Sequence, residues 1–236
     1  MIPLPIHYME IEDVYARTLG TGIFSLAISG INDGEGVSTL AYALARYAAA
    51  MGRKTLLVDF NRRNPSVGQR LGIPSTHWFP GDESAHDNIV ALSQTGLSIL
   101  PAPTVESDWL RVRGTHELRD CFNNWQNNFD CIVADTSPLT VCNQENIPPE
   151  NVCAACDGAV VVVQTGQTSE TSVMEACGKL NKTNAHLLGT VLNDRHAPGL
   201  ADELIRETKR FDGVAPKFMK KVRNMIQNST FLNQAI

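Results

Sequence analysis

Ten residues, Gly30-Ile-Asn-Asp-Gly-Glu-Gly-Val-Ser-Thr39, have the makeup of a loop that wraps a phosphate. Gly34 and Gly36 let the backbone curl until its N–H groups point inward at phosphate oxygens. The helix that opens near Ser38 adds the positive end of its dipole. The Ser38 hydroxyl stands where such a loop ligates Mg²⁺, with Thr39 beside it. Asp33, Gly34, Glu35, Gly36, Val37, Ser38 and Thr39 are therefore the expected nucleotide-contacting residues. One of them breaks the pattern. A lysine ordinarily follows the last glycine and reaches the β- and γ-phosphates, and here that residue is Val37. A unit charge at about 4 Å and an effective dielectric of about 20 is worth about 4 kcal/mol. Its loss from the transition state alone slows transfer on the order of a thousandfold. Binding through backbone donors and a metal survives that loss better than catalysis does.

Two aspartates end apolar runs and complete the constellation. Leu56-Leu-Val-Asp59 precedes Phe-Asn61-Arg-Arg63, and Cys131-Ile-Val-Ala-Asp135 precedes Thr-Ser-Pro138. Asp135 is expected to hold Mg²⁺ through water beside Ser38, and Asp59 to orient the attacking group or the metal's outer shell. Aspartates at strand ends also form turns, but two of them beside a glycine loop favour chemistry. Arg62 and Arg63 lie near the expected site and are candidates to replace part of the missing charge, whereas Lys54 precedes its strand at the far end and is a poor substitute. Cys153 and Cys156 form a C-x-x-C with only Cys142 nearby, so packing is favoured over zinc or redox chemistry. The six histidines are dispersed and show no metal spacing.

The elements that must carry these residues are legible in the apolar runs. Phe24–Ile28, Thr55–Val58, Leu97–Leu100, Cys131–Ala134, Ala159–Val163 and Leu187–Leu192 read as buried strands. Most are continuous rather than alternating, the mark of a sheet covered on both faces. Helices are expected at Ser38–Met51, stopped by Gly52, and at Ser169–Leu180, with Thr168, Ser169 and Thr171 as caps. A leading helix is expected over Met9–Leu19, and two more over Leu200–Phe211 and Phe218–Ile226. Alternating strands and helices predict an α/β fold. It is a doubly wound, mostly parallel sheet of P-loop NTPase-like type, helices on both faces, with ligands beyond the strands' carboxyl ends. The whole chain, 1–236, is expected to be one domain, with 1–22 a leading helix and 200–236 C-terminal helices. Trp78 and Phe79, in the loop-rich Pro74–Gly96, are expected to cover the sheet edge.

Composition sets outer bounds. The chain has 236 residues, 43% of them hydrophobic, and a net charge of −5, which argues against an overall basic surface for nucleic acid. No apolar run approaches the roughly 18 residues of a membrane span, and Met1–Tyr8 lacks the features of a signal peptide. A cytoplasmic location is expected. Lys217, Lys220, Lys221 and Arg223 on the last helix are expected to be a solvated face.

Together these segments resemble the bacterial tyrosine kinases of the exopolysaccharide and capsule type, within the ParA/MinD group. The likeness runs through Ser29–Thr39, Leu56–Ser66, Gly96–Pro101, Ile132–Pro138, Asp157–Ser169 and Gly189–Asn193, roughly residues 14 to 195. The resemblance implies ATP or ADP with Mg²⁺ as ligand and Asn193 as the residue that contacts adenine. It also implies docking on an inner-membrane polysaccharide chain-length or export protein, or another envelope-assembly protein, peripheral to that membrane. The chain departs from the family at Val37 and at Asn61, where the family has a second aspartate. It departs again at Val14, Arg17 and Gly20, where the family has Glu-x-x-Arg-x-x-Arg for ring assembly, and no tyrosine follows Tyr47. The expectation is a degenerate kinase or ATPase, with little or no hydrolysis, that regulates or scaffolds an exopolysaccharide machine. The alternative is an active, homodimeric Mg-ATPase of MinD/ParA type that positions an envelope assembly.

Overall fold

The structure, a computed structural model, describes residues 7–80, 83–93, 95–104, 114–141, 146–195, 200–209 and 216–229. Cys142, His196, Asp212, Gly213 and the tail from 230 onward lie outside the described residues. In chain order the elements are α1 (Met9–Arg17), β1 (Ser25–Gly30), α2 (Val37–Ala50), β2 (Thr55–Asp59), α3 (Ser66–Leu71), α4 (Glu83–Asp87), β3 (Val90–Ala91) and β4 (Leu97–Leu100). Then come α5 (Thr115–Trp125), β5 (Cys131–Asp135), α6 (Pro149–Ala155), β6 (Gly158–Gln164), α7 (Glu170–Lys182), β7 (Leu187–Asn193), α8 (Leu200–Lys209) and α9 (Pro216–Gln227). The sheet with α1–α7 forms one compact unit, and α8 with α9, which pack on each other, forms a second.

The seven strands lie in the order β3-β4-β2-β5-β1-β6-β7. β1 pairs in parallel with β5 and β6, and β2 with β4 and β5, while the two-residue β3 runs antiparallel to β4. Alternate residues of the central strands enter two separate cores. Ala27, Leu56, Val58, Ile132, Ala134 and Val161 face one, with residues of α5, α6 and α7. Leu26, Ile28, Leu57, Val133, Val160 and Val162 face the other, with α1 and α2. This double burial explains the continuous apolar runs, since neither face of a central strand meets water.

All six expected strands are present. β3 and α4 were hidden inside the loop-rich stretch, and α3 lies just before it, because two to six residues are too few to show a period. β7 departs from expectation in burial. It is an edge strand whose residues are exposed or half-buried, and Leu192 is 66% exposed. Trp78, expected to cover the sheet edge, is packed in the core with Leu56, Val58 and Leu100. It is fully buried, stands edge-to-face with Phe60 at 6.1 Å between centroids, and its Nε1 donates to the Pro101 carbonyl at 2.7 Å. Cys153 and Cys156 are buried in the apolar core, and burial pushes the Cys153 thiol up to about 12. Their role is packing, because a thiol so disfavoured as thiolate is neither nucleophile nor ready ligand. Among the described residues, no helix is long and apolar enough to cross a membrane.

Candidate nucleotide site

The carboxyl ends of β1, β2 and β5 adjoin, and the site is built there. β1 lies between β5 and β6, and the chain leaves it for β2 on one side before returning to the other, which is where doubly wound sheets open a crevice. The loop leaving β1 is anchored by the segment after β5. Leu139 N–H donates to the Gly30 carbonyl at 2.8 Å, and the Thr140 hydroxyl to the Ile31 carbonyl at 2.6 Å. Gly34 and Gly36 take φ of 86° and 95°, which L side chains rarely adopt, so these two glycines are required by the curl. Gly36 is the N-cap of α2 and makes no side-chain cap hydrogen bond.

Val37 begins α2 and points into the core. It is 9% exposed and packs with Leu26, Ile28 and Leu40. A Cβ on Gly30 would lie 2.8 Å from its Cγ2, so the valine fills the space over the root of the loop. Arg63 reaches the loop but spends its charge on Asp33, 3.3 Å away at a half-exposed position. Such a pair is worth about 0–1 kcal/mol. Arg62 is buried, and Lys54 stands at the amino end of β2, opposite the site.

Glu35 is not a surface residue of the loop. It is 2% exposed, and its carboxylate accepts from the Ile31 N–H at 2.5 Å, the Asn32 amide at 3.3 Å and the Thr168 hydroxyl at 2.5 Å. Its backbone carbonyl accepts from Asn193 Nδ2 at 2.8 Å. Of the three expected caps Thr168, Ser169 and Thr171, Ser169 is the N-cap, and its side chain accepts from the Ser172 N–H. That leaves the Thr168 hydroxyl for Glu35.

Asp59 and Asp135 are register partners on adjacent parallel strands, and both are fully buried. Asp59 accepts from the Asn61 N–H at 2.9 Å and the Val67 N–H at 3.2 Å, so it also shapes the turn into α3. Burial first, and the Asp135 charge second, hold its carboxyl well above the usual range. Asp135 has both carboxylate oxygens without a hydrogen bond; the Ser38 hydroxyl and Arg70 favour its charged form, yet burial still raises it to about 7. The hydroxyl faces the carboxylate without closing a hydrogen bond of ordinary geometry.

Two buried carboxyls side by side, one of them orphaned, next to a hydroxyl at a helix start make an all-oxygen donor set. A hard divalent cation such as Mg²⁺ suits it, retaining water in its remaining positions. The residues present therefore fit the metal that the loop implies. Ser38, Asp59 and Asp135 are brought together, and Asn193 meets the loop at the Glu35 carbonyl. Arg70 and Thr168 were missed in the sequence, the first because α3 is too short to show a period and the second because it reads as a cap.

No family model matches the chain. It is 29% identical over 175 residues to the tyrosine-protein kinase CpsD of Streptococcus agalactiae, covering 71% of this chain and 74% of that one. It is 28% identical over 178 residues to the succinoglycan biosynthesis transport protein ExoP of Rhizobium meliloti, covering 71% of this chain and 22% of that one. The chimerical protein CapA2B2 superposes with a TM-score of 0.69 at 20% identity, covering 81% and 86% of the two chains. Cobyrinic acid a,c-diamide synthase from Mycobacterium smegmatis, solved with an ATP analog and magnesium, gives 0.59 at 19% identity, covering 72% and 74%. The chain's homologues are bacterial tyrosine-protein kinases, and its fold is that of P-loop NTPase-like proteins.

Proposed function

We propose that the protein binds ATP or ADP with Mg²⁺ and transfers phosphate weakly or not at all, acting as a regulatory or scaffolding subunit of an exopolysaccharide machine. The observation that carries this is the split within one site. Support comes from Ser38 and Asp135, side by side as oxygen donors that would ligate Mg²⁺, and from the lysine position, which is a buried valine packed into the core.

Positioning and charge neutralisation supply nearly all of phosphoryl-transfer catalysis. The backbone curl, the start of α2 and the carboxylate pair keep the first. Val37 removes part of the second. Asp59 would orient the attacking group, and Ser38 and Asp135 would hold the metal, whose chemistry is to neutralise charge on the phosphates. Arg17, the surviving arginine of the assembly motif, is exposed and pairs only loosely with Asp13 at 3.9 Å. It remains available to a second copy or to a membrane chain-length protein, the partner class that fits a relative of capsule kinases.

The intact carboxylate pair favours a second reading, an active Mg-ATPase of MinD/ParA type. Thermal shift with ATP–Mg²⁺ followed by phosphate release separates the two. A shift without release supports the first, and a shift with release that Asp135→Ala abolishes supports the second. A pull-down that recovers no polysaccharide or membrane-assembly component would sink the scaffold role.

A further inference from the structure

Asn193 ends β7, and its Nδ2 donates to the carbonyl oxygen of Glu35 at 2.8 Å. The 35–36 peptide is trans, and in a planar trans peptide the C=O and the N–H point in opposite directions. A Glu35 carbonyl drawn toward Asn193 therefore turns the Gly36 N–H away from it, toward the side where a phosphate loop gathers its donors. The contact exists because residue 36 is glycine. A Cβ there would lie 2.8 Å from the Asn193 amide nitrogen. Residue 35 is gripped a second time through its buried carboxylate, which the Thr168 hydroxyl holds from the turn before α7. Two elements outside the loop thus hold residue 35, one by its backbone carbonyl and one by its side chain.

We propose that Asn193 is a positioning residue for the phosphate loop, orienting the 35–36 peptide so that Gly36 presents its N–H to a phosphate oxygen, with Thr168 bracing the same residue through its side chain. This rests on the nucleotide-binding reading above. It differs from the base contact that the family resemblance implies. A side chain that props the loop acts on the phosphate end of any ligand, whatever base it carries, whereas a base contact acts on adenine alone.

The test compares Mg²⁺–pyrophosphate with Mg²⁺–ADP by calorimetry on the wild type, Asn193→Ala, Thr168→Val and Thr168→Ser. Loss of one ordinary hydrogen bond predicts that Asn193→Ala weakens both ligands by the same factor, roughly three- to tenfold. Thr168→Val follows in the same direction, and Thr168→Ser, which keeps the hydroxyl, restores binding. A drop for ADP with pyrophosphate unchanged would overturn the proposal in favour of a base contact. Amide exchange across Gly34–Thr39 without ligand gives an independent readout. Asn193→Ala should speed it, and unchanged exchange would also overturn the proposal. Should the wild type bind neither ligand, the nucleotide reading fails by itself, and the exchange result still decides whether Asn193 orders the loop.

Discussion

Replacing Asp135 with Asn should stabilise the metal-free protein, by an amount that grows with pH. The side chain is fully buried and neither carboxylate oxygen has a hydrogen-bond partner. Its folded-state carboxyl lies at about 7 against a reference of 3.8, so the folded protein holds this proton more tightly than the unfolded chain. Stability is therefore complete below the unfolded value and falls as pH rises through the folded one. At about 1.4 kcal/mol per pH unit, the window from 3.8 to about 7 costs about 4 kcal/mol. Asn keeps the volume and loses the charge, and it also relieves Asp59, whose carboxyl is raised partly by Asp135. Urea unfolding in chelator across that window is the assay. The two proteins should be about equally stable near pH 4 and diverge to roughly 4 kcal/mol near pH 8. Mg²⁺ should close most of that gap at high pH, because a cation at 100 times its Kd adds about 2.7 kcal/mol to the protein that binds it. Parallel curves for the two proteins, with no Mg²⁺ effect on the wild type, would refute the reasoning.

Val37→Lys should raise the affinity for ATP–Mg²⁺ by tenfold or more, with about 4 kcal/mol as the ceiling. It should also lower stability by about 1 kcal/mol, because the valine packs in the core; an unchanged affinity would mean that the pocket is closed for other reasons. Gly30→Ala should destabilise by about 1–3 kcal/mol through its clash with Val37 Cγ2. Adding Val37→Ala should recover part of that loss, and strict additivity in the double mutant would contradict the contact. Cys153 and Cys156 should resist alkylation until the protein unfolds, and in Mg²⁺-free buffer chelator should leave the melting temperature unchanged; fast labelling of the native protein would disprove their packing role.

Much of this arrangement was legible in the residues. β1, β2, β5 and β6 announce themselves as continuous apolar runs because both faces of the sheet are covered. Gly34 and Gly36 mark the curl because only glycine tolerates those torsions cheaply. Asp59 and Asp135 could be named as strand-end acids, but not as register partners, since pairing β2 with β5 depends on chain segments more than seventy residues apart. The inward turn of Glu35 was likewise invisible. A glutamate in a glycine loop reads as exposed until Thr168 and the Ile31 N–H are known to converge on it. Short elements such as β3 and α3 left no periodic trace, and Arg70, which favours the charged forms of both aspartates, went unnoticed with α3.

The most direct test of the central claim is calorimetric titration of the purified protein with ATP in Mg²⁺, with phosphate release followed in the same sample. The account predicts saturable binding that requires Mg²⁺ and is lost in Asp135→Ala, with little or no phosphate released. Absence of any binding at millimolar nucleotide, or turnover at the rate of a lysine-bearing kinase, would contradict it.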